Sequence, residues 1–256
     1  MKIHQVAAQL YTLRDSLKDP RMIADTLKKV RKIGFQAVQI AGMGPIEDRE
    51  LARMLRDEGL ACCGFHEAGE VLFSTPEKVV ERLGILDCKT ATYPWPGGVR
   101  FDTPTELGTF IASLRKAGQA LRAAGLNFCY HNHHIEFRRM NGRTLLETIY
   151  SSIEPSYLQA ELDTYWVQFG GGDPVDWCRR MKGRLVNLHM KDYGINKDNT
   201  VVFEEIGNGN LDWKAIVNEA ENAGCRWFII EQDTCPGNPI DSLARSFQFV
   251  TGHFVS

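Results

Sequence analysis

PRMIADTLKKVRKIGFQAVQIAG, residues 20–42, carries one complete helix-turn-strand unit. Ile23, Leu27, Val30 and Ile33 recur at helical spacing, so one face of 20–33 is apolar. Gly34 follows where a helix needs a left-handed stop, and QAVQIA (36–41) is a short, mainly apolar strand pattern. Working outward, the same alternation recurs along the chain. Strand patterns fall at 3–10, 36–41, 60–66, 88–93, 127–133, 157–163, 184–190 and 226–232. Helical patterns cover 47–58, 104–124, 172–182, 211–223 and 239–250, and Gly59, Gly125 and Gly224 stop three of them. Several strands are apolar throughout, as strands covered on both faces are. Eight such units in 256 residues predict an α/β fold, a (β/α)8 TIM barrel forming a single domain over 1–256. An open doubly wound sheet would need a glycine-rich phosphate turn, and Ile40-Ala41-Gly42-Met43-Gly44 lacks the third glycine.

Bulk composition narrows the function classes. With 43% hydrophobic and 24% charged residues the chain is of ordinary globular type. A net charge of −2 and a pI near 6.4 give no electrostatic footprint for nucleic acid. The seven cysteines form no CxxC pair, which argues against a zinc ribbon or a disulfide framework. No apolar run is long enough to span a bilayer. The expectation is a reduced, cytoplasmic enzyme without a membrane or nucleic-acid partner.

Chemistry in a barrel collects at the carboxyl ends of the strands. Strand 3 ends at His66, strand 5 carries His131 and His133 with Glu136 beyond, and strand 6 carries Glu161 and Asp163. Strand 7 offers His189 and Lys191, and strand 8 Glu231 and Asp233. Strand 2, ending Ile40-Ala41-Gly42, offers nothing. Residues two apart share a strand face, so four consecutive strands aim imidazoles and carboxylates at one small volume. A mixed nitrogen and oxygen donor set suits Mn, Zn, Co or Mg. Lys191 reads equally as a rim lysine paired with Asp192 or Glu161, and His66 equally as a polar rim residue.

At these residues the chain resembles the sugar phosphate isomerase/epimerase family, xylose-isomerase-like metal-dependent TIM barrels that include endonuclease IV. The matching stretches are QLYTLRD (9–15), IGFQAVQIAG (33–42), YHNHHIEF (130–137), ELDTYWV (161–167), NLHMKD (187–192), EEIGNGNLDW (204–213) and WFIIEQD (227–233). The resemblance implies one divalent metal ion held from strands 5 to 8. Asp163, His189 and Glu231 match the last three ligands. Many relatives have a glutamate where this chain has His131, so the first ligand is assigned to Glu136, with His131 as the alternative.

The activity so implied is isomerisation or epimerisation of a sugar or keto-sugar by proton transfer through an enediolate. Glu231, Lys191 and His131 are the catalytic candidates, and His66, His133, Glu161 and Trp166 the substrate-binding ones. A keto-sugar or inositol dehydratase or lyase is the alternative on the same site. An AP endonuclease of the endonuclease IV type is disfavoured by the charge. A small carbohydrate is the expected partner, and homo-oligomers are expected only by analogy with relatives.

Overall fold

The computed structural model describes residues 1–256. Eight parallel strands close into a barrel in sequence order: β1 (Val6–Gln9), β2 (Ala37–Ile40), β3 (Ala61–His66), β4 (Thr90–Tyr93), β5 (Asn127–His131), β6 (Gln159–Asp163), β7 (Leu185–Met190) and β8 (Trp227–Ile230). Closure is made by β1 on β8, with Val6 opposite Phe228 and Ala8 opposite Ile230. All eight expected strands are present, each trimmed at one or both ends. Residues 3–5 and 10–16, for instance, are short 3-10 segments flanking β1.

The opening unit folds as its pattern requires. Asp19 caps the helix Pro20–Ile33 by accepting from the Met22 N–H at 2.9 Å, and Pro20 occupies the first turn, where its missing N–H costs nothing. Ile23, Leu27 and Val30 are buried, and Gly34 ends the helix at φ 124°, a backbone conformation that a side chain would strain. The strand that follows is buried along its whole length.

Four helices lie beyond the expected set: Gly69–Ser74, Pro76–Ile85, Leu145–Ser152 and Thr164–Phe169. Two begin on caps. Thr144 and Glu147 form a reciprocal capping box, and Asp163 accepts from the Trp166 N–H at 3.0 Å. After β7, an antiparallel hairpin pairs Asp192–Ile195 with Val201–Glu204. Asp192 pins the segment beyond it, accepting from the backbone of Gly207, Gly209 and Leu211 and from the Trp213 indole at 2.7 Å.

The barrel interior is layered. Ala7, Ala37, Cys63 and Ile229 form a small apolar cluster. Two residues further along β1 and β2, on the same face, stand Gln9 and Gln39, both fully buried. The interior thus changes from apolar to polar toward the carboxyl ends of the strands. No helix is long and apolar enough to cross a membrane.

Candidate metal centre and active site

Asp163 ends β6, His189 is the fifth residue of β7, and Glu231 follows β8. Parallel pairing sets Asp163 beside His189, and His189 beside Ile229. The potential ligand atoms of Asp163, His189 and Glu231 all lie within 4.8 Å of one another, and all three residues are buried. His189 Nδ1 donates to Glu231 Oε2 at 2.7 Å, and Nε2 donates to Gln39 Oε1 at 2.6 Å. Lys191 Nζ stands 3.0 Å from Asp163 Oδ2, 3.0 Å from Glu231 Oε2 and 3.1 Å from Asp233 Oδ1. Lys191 therefore pairs with neither Asp192 nor Glu161, because its stem leads inward to these three carboxylates.

One layer deeper sits Glu161. Its Oε2 accepts from Gln39 Nε2 at 2.6 Å, Asn187 Nδ2 at 2.6 Å and Thr92 Oγ1 at 3.0 Å. Its Oε1 accepts from His66 Nε2 at 2.6 Å and lies 3.1 Å from His189 Nε2. His131 Nδ1 is 3.4 Å from the same oxygen. Glu161, His66, His131 and His189 also cluster tightly enough to suggest a cation. Glu161, however, already has donors on both oxygens, whereas the layer above it does not. Asp163 Oδ2, despite the nearby ammonium, receives no well-directed hydrogen bond. A buried carboxylate oxygen without one needs a compensating partner. Beside the Lys191 ammonium, a divalent cation is such a partner, and two carboxylates and an imidazole are donors that suit it, while Glu161 behind His189 Nε2 orients the ring as outer-sphere carboxylates orient metal-binding histidines. The residues present fit such an ion.

The electrostatics follow from this crowding. Burial would lower the His189 pKa, but Glu161 and Glu231 outweigh it and hold it up at about 10. Burial would likewise lower Lys191, yet Asp163, Glu231 and Asp233 keep the ammonium well above its ordinary range, so it is a donor and not a base. Asp163 is raised to about 6 by burial and by Glu231, despite Lys191. For Glu231, burial is outweighed by Lys191 and His189, which hold it well below the carboxylate range. His131 is pushed down to about 3 by burial and by its neighbour His189, which leaves a neutral imidazole.

Above these groups opens a cleft of about 640 Å³. Its walls include His66, His131, His133, Trp166, Lys191 and Glu231. The Nδ1 of His133 and the indole Nε1 of Trp166 are buried and have no partner in the protein. Of the expected substrate ligands, His66, His133 and Trp166 line the cleft. Glu161 does not, because it is sealed beneath the imidazoles with no exposed surface.

Glu136, expected as the first metal ligand, is outside the cluster. The turn Ile135–Phe137 carries it away from the barrel axis, where Oε1 accepts from the Tyr130 hydroxyl at 2.7 Å and Oε2 from the His133 N–H at 2.9 Å. The alternative, His131, is the strand-5 residue at the site, with Nε2 3.8 Å from Asp163 Oδ2. The expectation that strand 2 offers nothing also fails. Gln39 bridges Gln9, Glu161 and His189. Gln39 and Asn187 were missed, although a polar residue inside an apolar, doubly covered strand is the signal that marks them, and Thr92 was missed in a strand, TATY, whose own polar residues hide it.

The xylose isomerase-like TIM barrel family model matches residues 27–251. An inosose dehydratase from Geobacillus thermodenitrificans is 26% identical over 58% of this chain and 55% of its own length. The chain thus spans about half of that relative. A sugar phosphate isomerase/epimerase from Parabacteroides distasonis superposes with a TM-score of 0.84 at 20% identity, over 99% of this chain and 96% of that one. A xylose isomerase-like TIM barrel protein from Mycobacterium smegmatis, solved in complex with magnesium, gives 0.77 at 12% identity, over 98% and 97%.

Proposed function

This chain belongs to the xylose isomerase-like TIM barrel family, and from that premise we propose that it is a divalent-metal-dependent isomerase or epimerase of a keto-sugar. The observation that carries the reading is the convergence of Asp163, His189 and Glu231 within 4.8 Å at the base of the cleft. These three residues, with His131 as the fourth, would hold Mg, Mn, Zn or Co. Such an ion supplies Lewis-acid stabilisation of the negative charge that develops on oxygen when a carbon beside a carbonyl loses its proton.

The remaining work falls to the chain. Glu231 Oε2 is taken by His189 and Lys191, while Oε1 makes no hydrogen bond within the protein and is the atom to receive the proton. Lys191, held as an ammonium by three carboxylates, donates to the substrate oxygen that becomes more negative. His131, kept neutral, faces the substrate from strand 5, and His66, His133 and Trp166 bind the hydroxyl groups. Trp166 closes over Lys191, whose Nζ is 5.7 Å from the ring centroid.

A dehydratase of a keto-sugar or keto-inositol is the second reading. It is favoured by the Lys191 ammonium, a proton source poised for a departing hydroxyl, and by the name of the Geobacillus relative. Incubation with keto-sugars in deuterium oxide, with and without added Mg or Mn, separates the two. Deuterium gained at carbon with no loss of water supports isomerisation or epimerisation, loss of water supports dehydration, and indifference to chelation refutes both.

A further inference from the structure

Two fixed cations line the cleft, and they are engaged very differently. Lys191 is shared among three carboxylates. Arg14, in the 3-10 segment Leu10–Ser16 after β1, has no carboxylate oxygen within 4.0 Å. It is nonetheless held in place. Nη1 donates to the Tyr11 carbonyl at 3.0 Å, Nη2 donates to the Asp233 carbonyl at 2.9 Å, and the guanidinium lies 4.5 Å over the Tyr11 ring. Gly42 leaves room for this arrangement, since an added Cβ would meet the Tyr11 ring at 2.8 Å and Arg14 Cβ at 3.2 Å. A guanidinium has five N–H donors, so three remain without a partner in the protein.

We propose that Arg14 is a specificity-determining residue that binds a carboxylate or phosphate at the end of the substrate remote from Asp163, His189 and Glu231. The substrate class is then an anionic keto-sugar. This rests on the keto-sugar reading above and narrows it. A planar, always-charged fork matches either anion in bidentate fashion, and its fixed posture reduces the entropy lost on binding.

The test uses three ligands with one carbon skeleton, D-fructose, D-fructose 6-phosphate and D-fructuronate, titrated into the magnesium-supplemented full chain by calorimetry. The phosphate or the carboxylate is expected to bind about 10- to 100-fold tighter than fructose, the worth of charge-assisted hydrogen bonds. The Arg14→Met variant should bring that ratio to about one, and Arg14→Lys, which keeps the charge but not the fork, should retain part of it. Which anion gains identifies the group recognised. Three equal affinities in the native chain overturn the inference, as does a preference that survives Arg14→Met. A uniform loss with the ratio preserved makes Arg14 only a clamp between two loops, and also overturns it. If fructose itself fails to bind along with the other two, the keto-sugar reading falls and this inference with it.

Discussion

Glu161 and Asp163 stand two residues apart on β6, point to the same side of the strand, and are both without exposed surface. Their surroundings differ. Glu161 collects hydrogen bonds from Gln39, Thr92, Asn187 and His66, contributed by four other strands. Asp163 spends Oδ1 on the Trp166 N–H and leaves Oδ2 without a well-directed donor. Depth in the barrel explains the contrast. One layer is close enough to every strand to be saturated, while the layer above it opens into the cleft. On the function proposed above, the saturated carboxylate belongs to the scaffold, and the undersatisfied one is left for the ion.

Substituting each residue by its amide tests this division. Asp163→Asn is expected to lower turnover of a keto-sugar by on the order of 10³ and to weaken magnesium uptake. Its stability in urea should stay within about 1 kcal/mol, because the change relieves crowding with Glu231. Glu161→Gln should do the reverse at the level of the fold. Its amide group must face the donors of Gln39 or Asn187, so unfolding in urea should come easier by about 3 kcal/mol. A stable Glu161→Gln protein beside an unstable Asp163→Asn one would invert the comparison.

The sequence conveyed the barrel more completely than it conveyed this division. Periodicity and glycine stops depend on neighbouring residues, and both are local, so the helix Pro20–Ile33 matches its expected ends. The helix Gly69–Ser74 escaped because its six residues make fewer than two turns, too few for a helical period to show. The period of two correctly put Glu161 and Asp163 on one face, but it carries no information on depth, which is set by barrel tilt and by partners far along the chain. Gln39 meets Glu161 across 122 residues. Glu136 shows the other limit. Whether a residue five positions past a strand histidine returns to the axis depends on the path of one short turn, Ile135–Phe137, which has no pattern to read.

Glu136 supplies a third carboxylate for the comparison, buried like the first two but lying outside the cluster. Burial raises its pKa to about 7, against the Tyr130 hydroxyl and the His133 N–H, which lower it. A carboxyl raised in the folded state stabilises most when protonated. Its contribution is fully present below the ordinary carboxylate range, about 4.5, and is lost as pH rises through about 7. The loss across that window should be about 2–3 kcal/mol. Glu136→Gln copies the protonated acid, with an oxygen for the His133 N–H and an amide for the Tyr130 oxygen. Urea midpoints measured from pH 4.5 to 8 should therefore fall less steeply in the variant than in the native chain. An unchanged slope would assign the pH dependence to another group.

Glu147 is the surface control. Its carboxylate accepts from the Thr144 N–H at 2.8 Å within the capping box and from Arg180 Nη2 at 2.6 Å, and its side chain is 22% exposed. The Thr144 backbone bond and then Arg180 hold its pKa down at about 2, while burial opposes them. The sign is opposite to that of Glu136. The stabilisation is present above the ordinary carboxylate pKa and disappears as pH falls through about 2. Water reaches this pair, so screening and side-chain entropy cut the net value well below what the shift alone suggests. Glu147→Gln keeps an oxygen for the cap but loses the charge, and should cost about 0.5–1 kcal/mol at pH 7. High salt should shrink that difference in Glu147→Gln and leave the Glu161→Gln deficit nearly intact, because ions screen exposed charges and not sealed ones. Equal salt sensitivity in the two variants would mean that solvent reaches the Glu161 layer, and the contrast between saturated and open carboxylates would lose its physical basis.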